Sequence, residues 1–317
     1  MAWQGVAVQQ NRPRIAVAPD TRPDMYEAFV DAVRDGGGDV VPIEDAEALV
    51  WADPARAAAF PEIIRHGRGV RWVQLPYAGI EPFAAHLDPA LVWTCGKGVY
   101  ARPVAEHALG LMLAGLRGLD VYARADRWRE PIGRNLIGAA VTVVGGGGIC
   151  DELVRMLEPF DCDITIVRRS PNATTERRRR ERPIDDLVDS VASADVVVLA
   201  LALTPATHGI VDAKVLDAMA PHAWLVNVAR GAHVVTDDLV DALRARRIGG
   251  AALDVTDPEP LPDGHPLWTL PNCIITPHVA NTPEMGRPLI AARVRENVAH
   301  YARGEPLEGL VDTVAGY

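Results

Sequence analysis

The chain has 317 residues, enough for two domains of ordinary size. Apolar residues make up 49% and charged residues 23%, a soluble globular composition, and 32 Lys and Arg against 42 Asp and Glu leave a net charge of −10. That balance argues against general nucleic-acid binding, which needs basic surface to meet phosphates; no apolar run approaches the ~18 to 20 residues of a membrane span, and no basic-then-apolar leader opens the chain.

Residues 1–12 read as a short, loosely ordered extension. Apolar β-rich runs then alternate with helical stretches: a strand at 14–19 (RIAVAP), a helix at 25–34, and strands at 39–43, 48–51, 70–75 and 91–94. Repeated βα units imply a parallel sheet covered by helices. The segment 102–119 (RPVAEHALGLMLAGLRGL) predicts a long helix, with Pro103 suited to its first turn and Glu106 near its N-terminal end. Its apolar residues fall on most faces, which predicts burial between layers. A second βα series follows, with strands at 141–144, 163–167, 196–200, 224–228, 250–255 and 273–276. A last helix at 283–303 has Thr282 as its N-cap and Gly304 just past its end. Two βαβ series joined by a long helix predict an α/β protein of two doubly wound domains.

The segment 141–157, VTVVGGGGICDELVRML, reads as strand, glycine turn and helix start. Gly145 and Gly147 take the first two positions of GxGxxG; one permits the tight turn, the other lets backbone approach a pyrophosphate at the helix N-terminus. Cys150 stands where the third glycine belongs, so the helix is expected to pack slightly further from the strand. An acidic residue normally follows the second strand to bind a ribose 2′-hydroxyl. Here that strand runs into Arg168, Arg169 and Ser170. An arginine pair suits a 2′-phosphate, so NADP(H) is favoured over NAD(H). The continuing basic run 177–180 reads as a solvated helix face.

Three residues then stand at the ends of strand-like runs: Arg230 after LVNVA, Glu259 in DVTDPEP and His278 in ITPH. A cation can hold a substrate carboxylate, and an acid–imidazole pair can deliver a proton, a combination suited to reducing a 2-oxo acid. Cys95, Cys150, Cys162 and Cys273 show no metal-ligand spacing; they read as buried, reduced thiols of a cytoplasmic protein, and no metal is expected. His86 and His107 read as structural.

These motifs, with QLPYAGIEPF (74–83), RPVAEHALGLML (102–113), NVARGAHVVTDDLVDAL, GAALDVTDPEPLP and TPHVANTPE, make the chain resemble the D-isomer-specific 2-hydroxyacid dehydrogenase family over nearly its whole length from about residue 14. The resemblance implies a Rossmann cofactor domain, 101–282, inserted into a smaller flavodoxin-like substrate domain, 1–100 plus 283–317, with the active site in the cleft between them. It implies that Arg230 binds the substrate carboxylate and that His278 is acid for reduction and base for oxidation. Glu259 would hydrogen-bond the other ring nitrogen, set its tautomer and raise its pKa. The implied cofactor set is Gly145, Gly147, Gly148, Ile149, Arg168, Arg169, Ser170, Val228, Ala229 and Asp254, the last at the nicotinamide amide. Backbone at Ala78 and Gly79, with Tyr77 beside it, would grip the substrate.

In the same family, phosphoglycerate dehydrogenases carry an arginine after the third strand; here ALVWADP puts Trp51 there, an apolar wall with an N–H donor, and the chain ends without a regulatory extension. That points to a small unphosphorylated 2-oxo acid, as in glyoxylate and hydroxypyruvate reductases, with a phosphoglycerate-type dehydrogenase as the alternative. A dinucleotide-sensing corepressor is a second alternative, since such relatives can retain the Arg–Glu–His set. A homodimer is expected from the family, with helix 102–119 and its surroundings as the interface.

Overall fold

The computed structural model describes residues 12–171 and 178–313. The expected extension at 1–12 lies outside the described residues except for Arg12. In chain order the elements are β1 (Arg14–Ala18), α1 (Pro23–Asp35), β2 (Asp39–Val40), β3 (Ala48–Trp51), α2 (Phe60–Ile64), β4 (Trp72–Gln74), β5 (Val92–Thr94), α3 (Ala101–Leu116) and α4 (Leu119–Ala123). There follow β6 (Ala140–Val144), α5 (Gly148–Leu157), β7 (Asp163–Arg168), β8 (Arg179–Pro183), α6 (Leu187–Val191), β9 (Val196–Leu199), α7 (Ala213–Ala218), β10 (Trp224–Asn227), α8 (Thr236–Arg244), β11 (Gly250–Leu253), β12 (Cys273–Ile275) and α9 (Pro283–Arg303). The chain forms two compact units, Met1–Tyr100 with Pro283–Tyr317, and Ala101–Thr282.

The first unit holds a five-stranded sheet in the order β2-β1-β3-β4-β5, every pairing parallel. This is the flavodoxin-like order, with its topological switch between β1 and β3. All four residues of β3 (ALVW) are buried, as a strand covered on both faces requires. Helix α1 buries Met25, Phe29, Ala32 and Val33, an i, i+4, i+7, i+8 stripe, and Pro23 at its start supplies a preset φ. Strand β2 is two residues long rather than five, because Pro42 has no N–H to extend the ladder. Helix α9 completes this unit, burying Ile290, Val294 and Val298. Its buried Asn297 donates to Gln74 Oε1 at 2.8 Å and accepts from Glu308 N at 2.8 Å, so both ends of this buried amide are paired.

The second unit holds a seven-stranded parallel sheet in the order β12-β11-β10-β9-β6-β7-β8. The chain winds outward from β6 through β7 to β8, then returns to β9 and winds the other way, a Rossmann arrangement with its switch between β6 and β9. The run VVVL of β9 is buried throughout. Helix α3 stops at Leu116 instead of reaching 119, because Gly118 adopts φ 59° and turns the chain into α4. Gly115 lets α3 approach β10: a Cβ there would lie 2.4 Å from the Trp224 ring. The basic run 177–180 is not a helix face in its described part. Arg179 and Arg180 open β8, the edge strand beside β7, whose ladder imposes an extended backbone on a sequence with no apolar alternation. Arg177 lies outside the described residues.

Candidate active site

In the second unit every candidate group follows the carboxyl end of a strand, the edge at which doubly wound sheets take ligands. At the switch, β6 runs into Gly145 with φ 116°, and a Cβ there would meet Ala200 O at 2.2 Å, so only glycine fits. Gly147 is the N-cap of α5 and has no side chain to close the helix end; it and Gly148 are exposed, and a Cβ at Gly147 would meet open space. The first-turn N–H groups therefore face outward with the positive end of the helix, which fits a dinucleotide pyrophosphate. Ile149 is half-buried beside them. Cys150 is wholly buried among the α3 and β6 side chains, so the third glycine position has become a core position.

At the end of β7 the side chain of Arg168 lies along the glycine turn, near enough that a Cβ at Gly146 would fall 2.7 Å from its Nε. Its guanidinium pairs at 3.6 Å with Glu181 of β8, a carboxylate 2% exposed that also pairs with Arg179 at 3.4 Å. Glu181 had no signal in the sequence, because its strand was unrecognised. Arg169 and Ser170 are exposed next to Arg168. At the end of β10, Val228 and Ala229 are buried, and their N–H groups donate to Leu199 O and Asn227 Oδ1.

The adjacent ends of β10, β11 and β12 carry the candidate chemistry. Arg230 follows β10; Asn227 Nδ2 donates to its carbonyl at 2.9 Å, its N–H donates to His233 Nδ1 at 3.2 Å, and its Nη1 donates to Ala229 O at 2.8 Å. Gly231 presses this turn against the loop after β11: a Cβ would lie 2.0 Å from the Thr256 carbonyl. That loop leads to Glu259, whose Oε1 accepts from His278 Nδ1 at 2.6 Å. Both side chains reach solvent, at 52% for His278 and 43% for Glu259. An ionised carboxylate only accepts, so Nδ1 carries a proton and Nε2 is left as the exchanging nitrogen.

His278 adopts φ 53°, a left-handed backbone that costs an L-residue about 1–2 kcal/mol. Asp254, at the end of β11, holds it there. Its carbonyl accepts the His278 N–H at 2.8 Å, Oδ1 accepts from Thr276 Oγ1 at 2.6 Å and Val279 N at 3.0 Å, and Oδ2 accepts from Ala280 N at 3.0 Å. Burial alone would push this carboxyl up; the hydrogen bonds from His107, Thr276 and the turn N–H groups outweigh it and hold it below its usual range. The sequence reading placed Asp254 at the nicotinamide amide. Its side chain is 1% exposed and accepts from Thr276, Val279 and Ala280, in the segment that carries His278.

In the first unit, Tyr77, Ala78 and Gly79 follow β4. Tyr77 Oη accepts from Arg22 Nη1 at 2.9 Å, its carbonyl accepts from Gly96 N at 2.9 Å, Ala78 is exposed and Gly79 is half-buried. Trp51 does not form the substrate wall expected of it. It is wholly buried against Phe60 and Phe83, and its N–H donates to Asp53 O at 2.6 Å, because β3 is covered on both faces.

All four cysteines are buried and free. Burial pushes the thiols of Cys150 and Cys273 up to about 12 and that of Cys162 up to about 11. Among the described residues no group of three or more His, Cys, Asp or Glu could hold a metal. No described helix is long and apolar enough to cross a membrane.

The family model for the NAD binding domain of D-isomer specific 2-hydroxyacid dehydrogenases matches residues 109–280. A Corynebacterium melassecola protein, known as an uncharacterized protein in the proB 3′ region, is 38% identical over 93% of this chain and 98% of its own. Glyoxylate/hydroxypyruvate reductase A of Photorhabdus laumondii is 30% identical over 85% of this chain and 87% of its own. The crystal structure of a D-isomer specific 2-hydroxyacid dehydrogenase from Xanthobacter autotrophicus Py2, in complex with NADPH and MES, superposes with a TM-score of 0.82 at 26% identity over 96% of this chain and 100% of that one. A dinucleotide-ready glycine turn and an acid–imidazole pair on one sheet edge agree with these likenesses: the chain belongs to the D-isomer-specific 2-hydroxyacid dehydrogenase family, a family of NAD(P)-dependent oxidoreductases.

Proposed function

We propose that this protein reduces a small, unphosphorylated 2-oxo acid, glyoxylate or hydroxypyruvate by preference, to the D-2-hydroxy acid with NADPH. The observation that carries the reading is the 2.6 Å hydrogen bond from His278 Nδ1 to Glu259, on strand ends next to that of Arg230. Arg230 binds the substrate carboxylate through its planar fork. His278 Nε2 gives its proton to the carbonyl oxygen, and Glu259 offsets the imidazolium charge and keeps the ring in its tautomer. Bound nicotinamide supplies the hydride for the carbonyl carbon. Tyr77, Ala78 and Gly79 contribute to substrate binding. Gly145, Gly147, Gly148 and Ile149 hold the pyrophosphate, the Val228–Ala229 backbone contributes to the cofactor site, and Arg168, Arg169 and Ser170 take the 2′-phosphate. Glu181 holds Arg168 against the glycine turn and spends part of its charge, so the NADP(H) preference is a moderate one.

The protein acts in the cytoplasm as a homodimer. The reading is supported by its free buried thiols and by the apolar side chains exposed on and after α4: Leu119, Ile132, Ile137 and Trp128, the last at 100%.

The test is oxidation of NADPH and NADH at 340 nm with glyoxylate, hydroxypyruvate, pyruvate and a bulkier 2-oxo acid. Turnover faster with NADPH, and a preference lost in Arg168→Ser, supports both chemistry and clamp. A preference for NADH sinks the clamp and leaves the chemistry. No turnover with any acid, despite cofactor binding, sinks the reductase reading.

A further inference from the structure

We propose that His107, on α3, is a positioning residue for the proton-transfer histidine, acting through Thr276 and Asp254. The inference rests on the reading of His278 as the proton donor. His107 Nε2 lies 3.0 Å from Thr276 Oγ1 and 3.3 Å from Asp254 Oδ1. The Thr276 hydroxyl gives its own proton to Asp254 Oδ1 at 2.6 Å, since a carboxylate can only accept. The hydroxyl therefore presents a lone pair to His107, and Nε2 must carry the proton. This assignment holds for the neutral and the charged ring alike.

The chain of bonds runs on to the left-handed turn. The carboxylate that Thr276 and His107 engage is the one that captures the N–H groups of Val279 and Ala280, and the Asp254 carbonyl captures that of His278. The left-handed φ of His278 persists because these contacts over-determine it. His107 is itself fixed. Ala105, Ala108, Leu111 and Met112 bury α3 in the core, and the imidazole, 24% exposed, projects from that rigid helix. Without the Nε2 donor, Thr276 Oγ1 and Asp254 Oδ1 each lose a partner, and the turn is free to relax toward the right-handed basin. Glu259 orients the His278 ring from one side; the His107 network orients its backbone from the other.

The test compares His107→Leu, which removes the donor at similar volume, with His107→Gln, whose amide nitrogen reaches the same place. Because an ångström of displacement at a reacting group costs on the order of 100-fold, His107→Leu is expected to lower kcat about 10- to 100-fold, with the KM for the 2-oxo acid within about threefold. His107→Gln is expected to restore kcat to within about threefold of the parent enzyme. Unchanged kcat in folded His107→Leu overturns the proposal, and so does a Gln variant as slow as the Leu variant. A second readout needs no turnover. Histidine-selective 15N–1H correlation spectra should show a slowly exchanging His107 Nε2 proton. The His278 ring signals should move in His107→Leu and stay in place in His107→Gln. If the parent enzyme reduces no 2-oxo acid, the proposed function fails, while the spectra still decide whether His107 holds the turn. His278 signals indifferent to both substitutions refute it.

Discussion

Replacing Gly231 by alanine loads the candidate active site where the Arg230 turn meets the loop to Glu259. A Cβ at Gly231 would lie 2.0 Å from both the carbon and the oxygen of the Thr256 carbonyl and 2.6 Å from Asp257 N. All three atoms are backbone, so no rotamer change relieves the overlap. Non-bonded carbons settle at about 3.5 Å, which means the Arg230 turn and the loop leading to Glu259 must part by roughly 1.5 Å. Overpacking of this kind costs about 1–3 kcal/mol, or ~2–12 °C in Tm for a unit of this size. A displacement above an ångström should lower kcat/KM for the 2-oxo acid by about 100-fold or more. Cofactor affinity should fall by a smaller factor, since Val228 and Ala229 adjoin the displaced turn while the glycine turn lies two strands away along the sheet. Gly110→Ala is the control. Gly110 is exposed on α3 with nothing within 4 Å of its virtual Cβ, so alanine should leave activity unchanged and add about 0.5–1 kcal/mol of stability. The measurements are thermal melts, cofactor titration by tryptophan fluorescence and steady-state kinetics. A Gly231→Ala enzyme with kcat/KM within about threefold of the parent would refute the reasoning.

Three further outcomes are expected. His278→Ala should lower kcat by about 10²- to 10⁴-fold with cofactor affinity intact, and Glu259→Gln should lower kcat by a smaller factor; a fully active His278→Ala enzyme would remove the proposed proton donor. Asp254 has its carboxyl held below the ordinary range, so its contribution is present above the unfolded value of about 3.9 and is lost as pH falls through the lower folded value. The Tm difference between the parent and Asp254→Asn should therefore shrink as the pH is lowered from about 5 toward 3, and a difference constant with pH would contradict it. The four buried thiols should resist a thiol reagent at pH 8 in the native protein and all react once it is denatured, because burial holds Cys150 and Cys273 near 12 and Cys162 near 11; native labelling of any of these three would be incompatible with that burial.

The α/β class and most of its strands were legible in the sequence, because a buried parallel strand needs a near-continuous apolar run: ALVW, VVVL and VTVV announce themselves. The glycine turn and the Arg230, Glu259 and His278 positions were legible for a related reason, since special backbone and charged groups at strand ends leave a local mark. What failed to show was everything set by a neighbour. Strand β8 (RRERP) has no apolar alternation and owes its conformation to the β7 ladder, so Glu181 and its hold on Arg168 appeared only with the sheet. Trp51 carried a residue type fit for a pocket, but the layers on both faces of β3 put it in the core. His107 read as a structural histidine of an apolar helix. Only the packing of α3 beside the ends of β11 and β12 brings its ring to Thr276 and Asp254, residues far away in the chain. Local sequence decides which residues can form a strand or carry a charge; which of them meet is decided by the order of strands in the sheet and by the helices laid across it.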